Sequence, residues 1–293
     1  MLLRFVKPGA RLGRMSLTLP PGACNAHCHV FGPRERFPYT ADAAFIPSAD
    51  APKEDLYALN DRLGLQRCVV VQSSCHGFDN RATEDAVAAR PASYRGIALL
   101  PTDIADAELK RLDAAGFRGV RFNFMGHLGR RTPIDEVLSL AQRIESLGWH
   151  LQIHGDPRLL TDLAPALRRS PVPVVIDHIG RVDAALGMQQ PDFQALLDLM
   201  GDERFWVKVS GMDRITRVGP PYADALPFAG TLVAEFGDRV VWGNDWPHPN
   251  HAGPIPDEQQ LVDLVARMAP TEAARERLLV SNPQRLYRFG DKR

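Results

Sequence analysis

The segment from residue 119 to residue 154 alternates between two kinds of hydrophobic pattern. It begins with "GVRFNF" (119–124), continues with "DEVLSLAQRIESLG" (135–148) and ends with "HLQIH" (150–154). The outer pieces are short and rich in β-branched or aromatic residues, which is typical of buried strands. The middle piece repeats apolar residues at helical spacing and ends at Gly148, a residue suited to a helix C-cap. The apolar positions of this predicted helix are Val137, Leu138, Ala141, Ile144 and Leu147.

The same strand–helix alternation extends over the rest of the chain. The predicted strands cover 24–30, 67–73, 94–100, 119–124, 150–154, 172–178, 205–211 and 240–246. The predicted helices cover 55–63, 79–90, 106–115, 135–148, 158–169, 191–200, 224–236 and 257–268, with a terminal helix at 281–289. Eight alternations without a linker predict one α/β domain, a (β/α)₈ or TIM barrel over 22–293, and not a doubly wound sheet. Residues 1–21 are interpreted as a loose leader.

Composition narrows the functional classes. Lys plus Arg and Asp plus Glu both total 35 in 293 residues, so no global charge attracts nucleic acid or an anionic membrane. The apolar runs are far shorter than the roughly 20 residues that span a bilayer. The N-terminal stretch lacks the apolar core of a signal peptide, and translation could start at Met1 or Met15. We therefore expect a cytoplasmic protein whose four cysteines are reduced: Cys24, Cys28, Cys68 and Cys75.

Polar side chains occur in or directly after most predicted strands. His27 and His29 lie two residues apart in the first strand, so an extended backbone points both to one face. Parallel strands of a barrel end at one rim, where catalytic groups converge. The pattern predicts a site at this rim, in which the histidine pair binds either a metal ion or a substrate. The rim residues are His27, His29, Ser73, Ser74, Arg121, His154, His178 and Asp245.

Several motifs in this order are similar to those of a known family. They are "HCHVFGP", "VVVQSSCHGFDNRA", "GFRGVRFNF", "IDHIGR", "WGNDWPHPN" and "NPQRLY". The chain resembles the amidohydrolase superfamily, in particular the amidohydrolase-2 branch that contains the 2-pyrone-4,6-dicarboxylate lactonases. The resemblance covers nearly the whole chain from about residue 22. It implies a (β/α)₈ barrel with its active site at the C-terminal rim of the strands.

The resemblance also implies an activity, the hydrolysis of a carboxylated lactone in the catabolism of aromatic compounds. Asp245 would activate the attacking water, and His27, His29 and His178 would polarise the ring carbonyl, as ester hydrolysis requires. Guanidinium groups suit the substrate's carboxylates. The implied substrate-binding positions are Arg121, Arg214, Ser73, Ser74, His76, His127, His154 and Phe45.

Three of these positions depart from the lactonase pattern. Phe45 and His154 stand where the lactonases have tyrosine, and His127 stands where they have arginine. The changes at Phe45 and His127 remove carboxylate-binding groups. Four other arginines lie nearby in sequence and could replace them, namely Arg130, Arg131, Arg181 and Arg217.

Because residue 154 is a histidine, the sequence does not decide whether the protein uses a metal cofactor. Lactonases of this branch work without a metal, whereas metal-dependent relatives keep a histidine at this position. His27, His29, His154 and Asp245 would form a mononuclear ligand set for zinc or manganese. The sequence therefore allows no cofactor or one divalent metal. It also leaves a metal-dependent decarboxylase and a lactone isomerase as alternatives to the lactonase.

Overall fold

The computed structural model describes residues 17–41, 43, 45–125, 132–251 and 253–290. It contains an eight-stranded parallel sheet in which each strand pairs with the next one along the chain. The strands are β1 (Cys24–Cys28), β2 (Arg67–Val71), β3 (Tyr94–Ala98), β4 (Phe117–Phe124), β5 (His150–Gly155), β6 (Val174–Ile176), β7 (Phe205–Lys208) and β8 (Val240–Val241). This arrangement confirms the predicted (β/α)₈ barrel.

Helices cover the outside of the strands. They are α1 (Lys53–Leu63), α2 (Arg81–Ala89), α3 (Asp106–Ala115), α4 (Ile134–Ile144), α5 (Pro157–Leu167), α6 (Pro191–Met200), α7 (Met212–Ile215), α8 (Leu226–Glu235), α9 (Glu258–Asp263), α10 (Val265–Met268), α11 (Glu272–Glu276) and α12 (Asn282–Tyr287). Among the described residues, none of these helices is both long enough and apolar enough to cross a membrane.

The helix predicted at 135–148 shows how the sequence forms one barrel unit. α4 ends at Ile144, and a 3₁₀ turn leads to Gly148, whose φ of 65° is the left-handed conformation that suits glycine. The buried face consists of Val137, Leu140, Ala141 and Ile144. Leu138, predicted to lie on this face, is only partly buried, because Leu140 and Ala141 occupy the side that contacts the sheet.

The barrel closes between β1 and the chain that follows β8. The amide of Ala26 donates to Trp242 O at 2.8 Å, and the amide of Asp245 donates to His27 O at 2.9 Å. Gly243 permits this approach, since a Cβ there would lie 2.4 Å from the backbone nitrogen of His27. Closure of the barrel therefore brings Asp245, the predicted base, beside His27 and His29, although these residues lie near opposite ends of the chain.

Two apolar layers hold the barrel. One lies between the strands and the surrounding helices, and the other fills the barrel interior, where Val69, Val175 and Tyr287 belong to one buried cluster. Residues 1–16 of the predicted leader lie outside the described residues. Leu17 and Leu19 pack against the outer layer, so the visible end of that segment contacts the barrel.

Candidate active site

An open cavity of about 590 Å³ lies at the carboxyl ends of the strands. Residues predicted from the sequence form most of its wall, namely His29, Phe45, Ser73, Ser74, Arg121, His154, His178, Arg214 and Asp245. Arg181, Pro249 and Asn250 complete the wall. The cavity wall therefore contains candidate acid–base groups, the histidines and Asp245, and also three arginine side chains.

Two predicted site residues that the structure describes, His27 and His76, do not line this cavity. His27 is fully buried behind the wall, where it still contacts Asp245. His76 turns away: its Nδ1 lies 3.0 Å from Pro38 O, and its ring packs against Tyr39. His127 lies outside the described residues. The structure thus gives His76 a local contact with the β1–α1 connection instead of a place in the wall.

The two carboxylate oxygens of Asp245 have different surroundings. Oδ2 accepts hydrogen bonds from the Arg214 guanidinium, at 2.6 and 2.8 Å. Oδ1 faces the Nε2 atoms of three imidazoles: His29 at 3.2 Å, His27 at 3.6 Å and His178 at 3.9 Å. Burial alone would raise the pKa of Asp245, but Arg214 and the imidazoles hold it well below its usual range. Asp245 is therefore an ionised carboxylate with one oxygen fixed and one directed at the imidazoles.

His29 is held at both ring nitrogens. Nδ1 lies 2.8 Å from Val71 O and Nε2 lies 3.2 Å from Asp245 Oδ1, and both of these oxygens only accept hydrogen bonds. Nδ1 of His27 lies 3.4 Å from the Lys208 ammonium, which only donates. The same Nδ1 lies 3.4 Å from Asp177 Oδ1, and Nε2 lies 3.6 Å from Asp245 Oδ1. Burial, together with Lys208, lowers the pKa of His27 to about 3, so the ring is neutral.

His178 is held by a strained turn after β6. Residues 178–181 all have positive φ, between 52° and 62°, which costs non-glycine residues roughly 1–2 kcal/mol each. Nδ1 of His178 lies 2.9 Å from Ser210 Oγ, and burial lowers the pKa of His178 well below its usual value. With the Ser210 hydroxyl donating to Nδ1, the Nε2–H of the neutral ring is available to the cavity.

A buried ionic network supports the site from inside the barrel. Lys208 donates to Gln152 Oε1 at 2.8 Å and to Ala26 O at 2.9 Å. Asp177 accepts from Arg121 at 2.9 Å and from Gln152 at 3.0 Å, and its Oδ1 lies 3.9 Å from Lys208. None of Lys208, Asp177 and Gln152 was predicted as a site residue from the sequence. Asp177 directly precedes the predicted site residue His178, and this position could have indicated that Asp177 lies near the site.

Comparisons with known proteins show the family of this chain. A family model described as amidohydrolase matches residues 24–289. The chain belongs to the amidohydrolase family. The predicted family is thereby confirmed.

This amidohydrolase is similar to curated lactone hydrolases. It is 45% identical to the 2-pyrone-4,6-dicarboxylate hydrolase of Comamonas testosteroni, over 92% of this chain and 91% of that protein. It is 39% identical to the 4-sulfomuconolactone hydrolase of Rhizobium radiobacter, over 96% and 94% of the two chains. A crystal structure of a probable 2-pyrone-4,6-dicarboxylic acid hydrolase from Acinetobacter baumannii, with citric acid bound, superposes with a TM-score of 0.82 at 28% identity, covering 92% and 100%. The prediction of a lactone hydrolase, an enzyme acting on ester bonds, is confirmed.

The amidohydrolase does not assemble the four-residue metal set. Among the described residues, donor atoms of His27, His29 and Asp245 lie within 4.8 Å of one another, but His154 belongs to no such group. His154 instead faces Asn123 Oδ1 at 3.3 Å and packs edge-on against the His178 ring.

Charge also disfavours a divalent cation in this amidohydrolase. One oxygen of Asp245 is already paired with Arg214, and Arg181 adds positive charge at the same cavity. The described residues therefore bring together three of the four predicted ligands, His27, His29 and Asp245, without His154. The two arginines suit an anionic ligand instead.

Proposed function

We propose that the protein hydrolyses 2-pyrone-4,6-dicarboxylate or a closely related carboxylated lactone, with Asp245 as general base and without a metal. The observation that carries this proposal is the position of Asp245 Oδ1, which lies within 3.9 Å of three imidazole Nε2 atoms in a cation-lined cavity. The citric acid bound by the structural relative from Acinetobacter baumannii is itself a polycarboxylate, which supports an anion-binding cavity.

The salt bridge between Arg214 and Asp245 gives substrate binding a role in activation. A carboxylate of the substrate that binds Arg214 shares its positive charge. The pKa of Asp245 then rises toward that of an ordinary carboxylate, and Oδ1 becomes a stronger base. Water bound at Oδ1 loses a proton to Asp245 and attacks the ring carbonyl.

The three imidazoles have two separate roles. His178, which lines the cavity, presents an Nε2–H group that donates to the carbonyl oxygen as it becomes an oxyanion. His29 and the buried His27 contact Asp245 Oδ1 through their Nε2 atoms and keep the carboxylate oriented. The ring C–O bond then breaks, the leaving oxygen takes the proton, and the product is a hydroxy acid or its keto tautomer.

We also propose that the chain forms one catalytic barrel domain over residues 22–293 and acts on this small anion in the cytoplasm. All four cysteines are buried free thiols, as expected in a reducing compartment.

The experiment uses 2-pyrone-4,6-dicarboxylate in ¹⁸O-labelled water, with and without EDTA. Hydrolysis places one ¹⁸O in the new carboxylate, whereas an isomerase incorporates none and a decarboxylase releases carbon dioxide. Full activity in EDTA is expected, and activity that disappears with EDTA and returns with zinc or manganese refutes the metal-free site.

Asp245→Asn tests the base. It should lower kcat by about 10²–10⁴-fold, the contribution of general base catalysis. Binding of the substrate should remain. Asp135→Asn, at an exposed carboxylate paired with Arg169, is the control. Near-normal turnover by Asp245→Asn refutes the assignment.

A further inference from the structure

Arg181 differs from the two other arginines that line the described cavity. Arg121 is paired with Asp177 at 2.9 Å, and Arg214 is paired with Asp245 at 2.6 Å. Within the described part of the chain, Arg181 has neither a hydrogen bond nor an ion pair, although its side chain lines the cavity wall. A partly buried cation without a counterion is costly, so the site is incomplete until an anion occupies it.

The position of Arg181 is fixed relative to His178. The two residues are the ends of the left-handed turn at 178–181, and side chains three residues apart in such a tight turn lie on one face. The same turn therefore presents to the cavity an imidazole, which polarises the carbonyl, and an unpaired guanidinium. Strain of this kind is retained where surrounding structure requires a particular side-chain direction.

The charges around Arg181 are consistent with a site for an anion. Burial, together with the charge of Arg214, lowers the pKa of Arg181. The carboxylates of Asp156, Asp213 and Asp245 act on it only from a distance. The adjacent charge of Arg214 increases the positive potential at this side of the cavity.

We propose that Arg181 is a specificity-determining residue that binds a carboxylate of the substrate, so that the cavity selects lactones with a second acidic group. This inference rests on the proposed function and names a third cavity arginine, beside Arg121 and Arg214, for the carboxylates of the substrate. It also separates Arg181 from Arg217, which was predicted as a possible replacement but is exposed and paired with Asp183 at 2.8 Å.

The test measures binding of isophthalate and benzoate to the full-length protein by calorimetry. Both are planar, neither has an ester bond, and they differ by one carboxylate. The wild type should prefer isophthalate by at least 10-fold. Arg181→Met should reduce that preference to about 2-fold or less, Arg181→Lys should retain part of it, and Arg217→Met should leave it unchanged.

A wild type without the preference, or Arg181→Met with the preference intact, overturns the proposal. Thermal unfolding shows whether Arg181→Met is folded, and if it is not, the comparison of Arg181→Lys with Arg217→Met decides. Because neither probe is hydrolysed, the result is independent of turnover. Loss of the preference in a protein that opens no lactone supports the anion site and refutes only the proposed function.

Discussion

Arg214 and Asp245 form a two-point salt bridge inside the cavity, in which two guanidinium nitrogens donate to Oδ2 at 2.6 and 2.8 Å. Arg214 is fixed from the other side, because it also donates to Pro249 O at 2.9 Å. The base is thus oriented by a cation that is itself a candidate ligand for the substrate. A substitution of Arg214 therefore changes both the orientation of the Asp245 carboxylate and its pKa.

Arg214→Met should move the acid limb of the kcat/KM–pH profile to higher pH. Arg214 lowers the pKa of Asp245 in the free protein, and removal of an adjacent arginine raises a carboxyl pKa by about 1–3 units. The measurement is kcat/KM from pH 4 to pH 8, because this ratio reports the free enzyme. Arg36→Met, at a surface pair with Asp85, should retain the wild-type profile. An unchanged profile in Arg214→Met would mean that other groups determine the ionisation of Asp245.

Gly211→Ala should lower kcat by about 10–100-fold, because an ångström of misplacement has effects of this size. A Cβ at Gly211 would lie 2.8 Å from Cβ and Nδ1 of His178 and would displace the imidazole. Gly64→Ala is the matched control, since Gly64 has a similar positive φ and no atom within 4 Å of a Cβ. Both variants should lose roughly 1 kcal/mol of stability from left-handed backbone. Equal kcat values for the two would contradict the contact.

Lys208→Met should be strongly destabilising. Lys208 is fully buried, and its removal leaves Asp177 with less positive charge and leaves Gln152 Oε1 without its donor. Breaking one partner from a buried ionic network costs about 3–5 kcal/mol. Arg169→Met removes an exposed ion pair to Asp135 and should cost less than about 1 kcal/mol. Urea denaturation measures both, and similar losses would show that the network contributes little.

His248→Gln should change how stability depends on pH. Burial alone would lower the pKa of His248, but contacts with Asp213 and Glu258 raise it to about 9. A raised histidine pKa contributes stability that is complete below the unfolded value of about 6.5 and is lost as pH rises through about 9. The free energy of unfolding of the variant should therefore be lower than that of the wild type by roughly 3 kcal/mol at pH 6, for a pKa shift of this size. At pH 10 the two free energies should be similar.

Chemical denaturation at several pH values checks this expectation. His251→Gln is the control, because burial lowers the pKa of His251 and it cannot supply the alkaline loss. A pH-independent difference between His248→Gln and wild type would contradict the assignment.

The order of the strands and much of the cavity wall could be predicted from the sequence. Buried β-branched runs are distinctive, and polar residues at their ends stand out against them. Lys208 was missed for a physical reason. A lysine in a strand usually faces solvent, whereas here Val207 and Val209 face the helices, and the alternation turns Lys208 into the barrel interior.

The position of His154 shows a second limit. Its residue type and its place at the end of a strand indicate a metal ligand, but coordination depends on distances of a few ångströms between side chains on different strands. Asn123 and the ring of His178 hold His154 apart from the other candidate ligands. No spacing along the chain contains that information.

The seam between β1 and β8 places the base and two of its imidazoles at opposite ends of the chain: His29 and Asp245 are 216 residues apart. A ribosome-bound chain with seven complete strands therefore carries the imidazoles but no base. Contacts of such long sequence separation form late, because the entropy of closing the intervening loop opposes them. The chain consequently becomes catalytically competent only when the barrel is complete. A fragment that ends before β8 is expected to be inactive even where its strands are ordered.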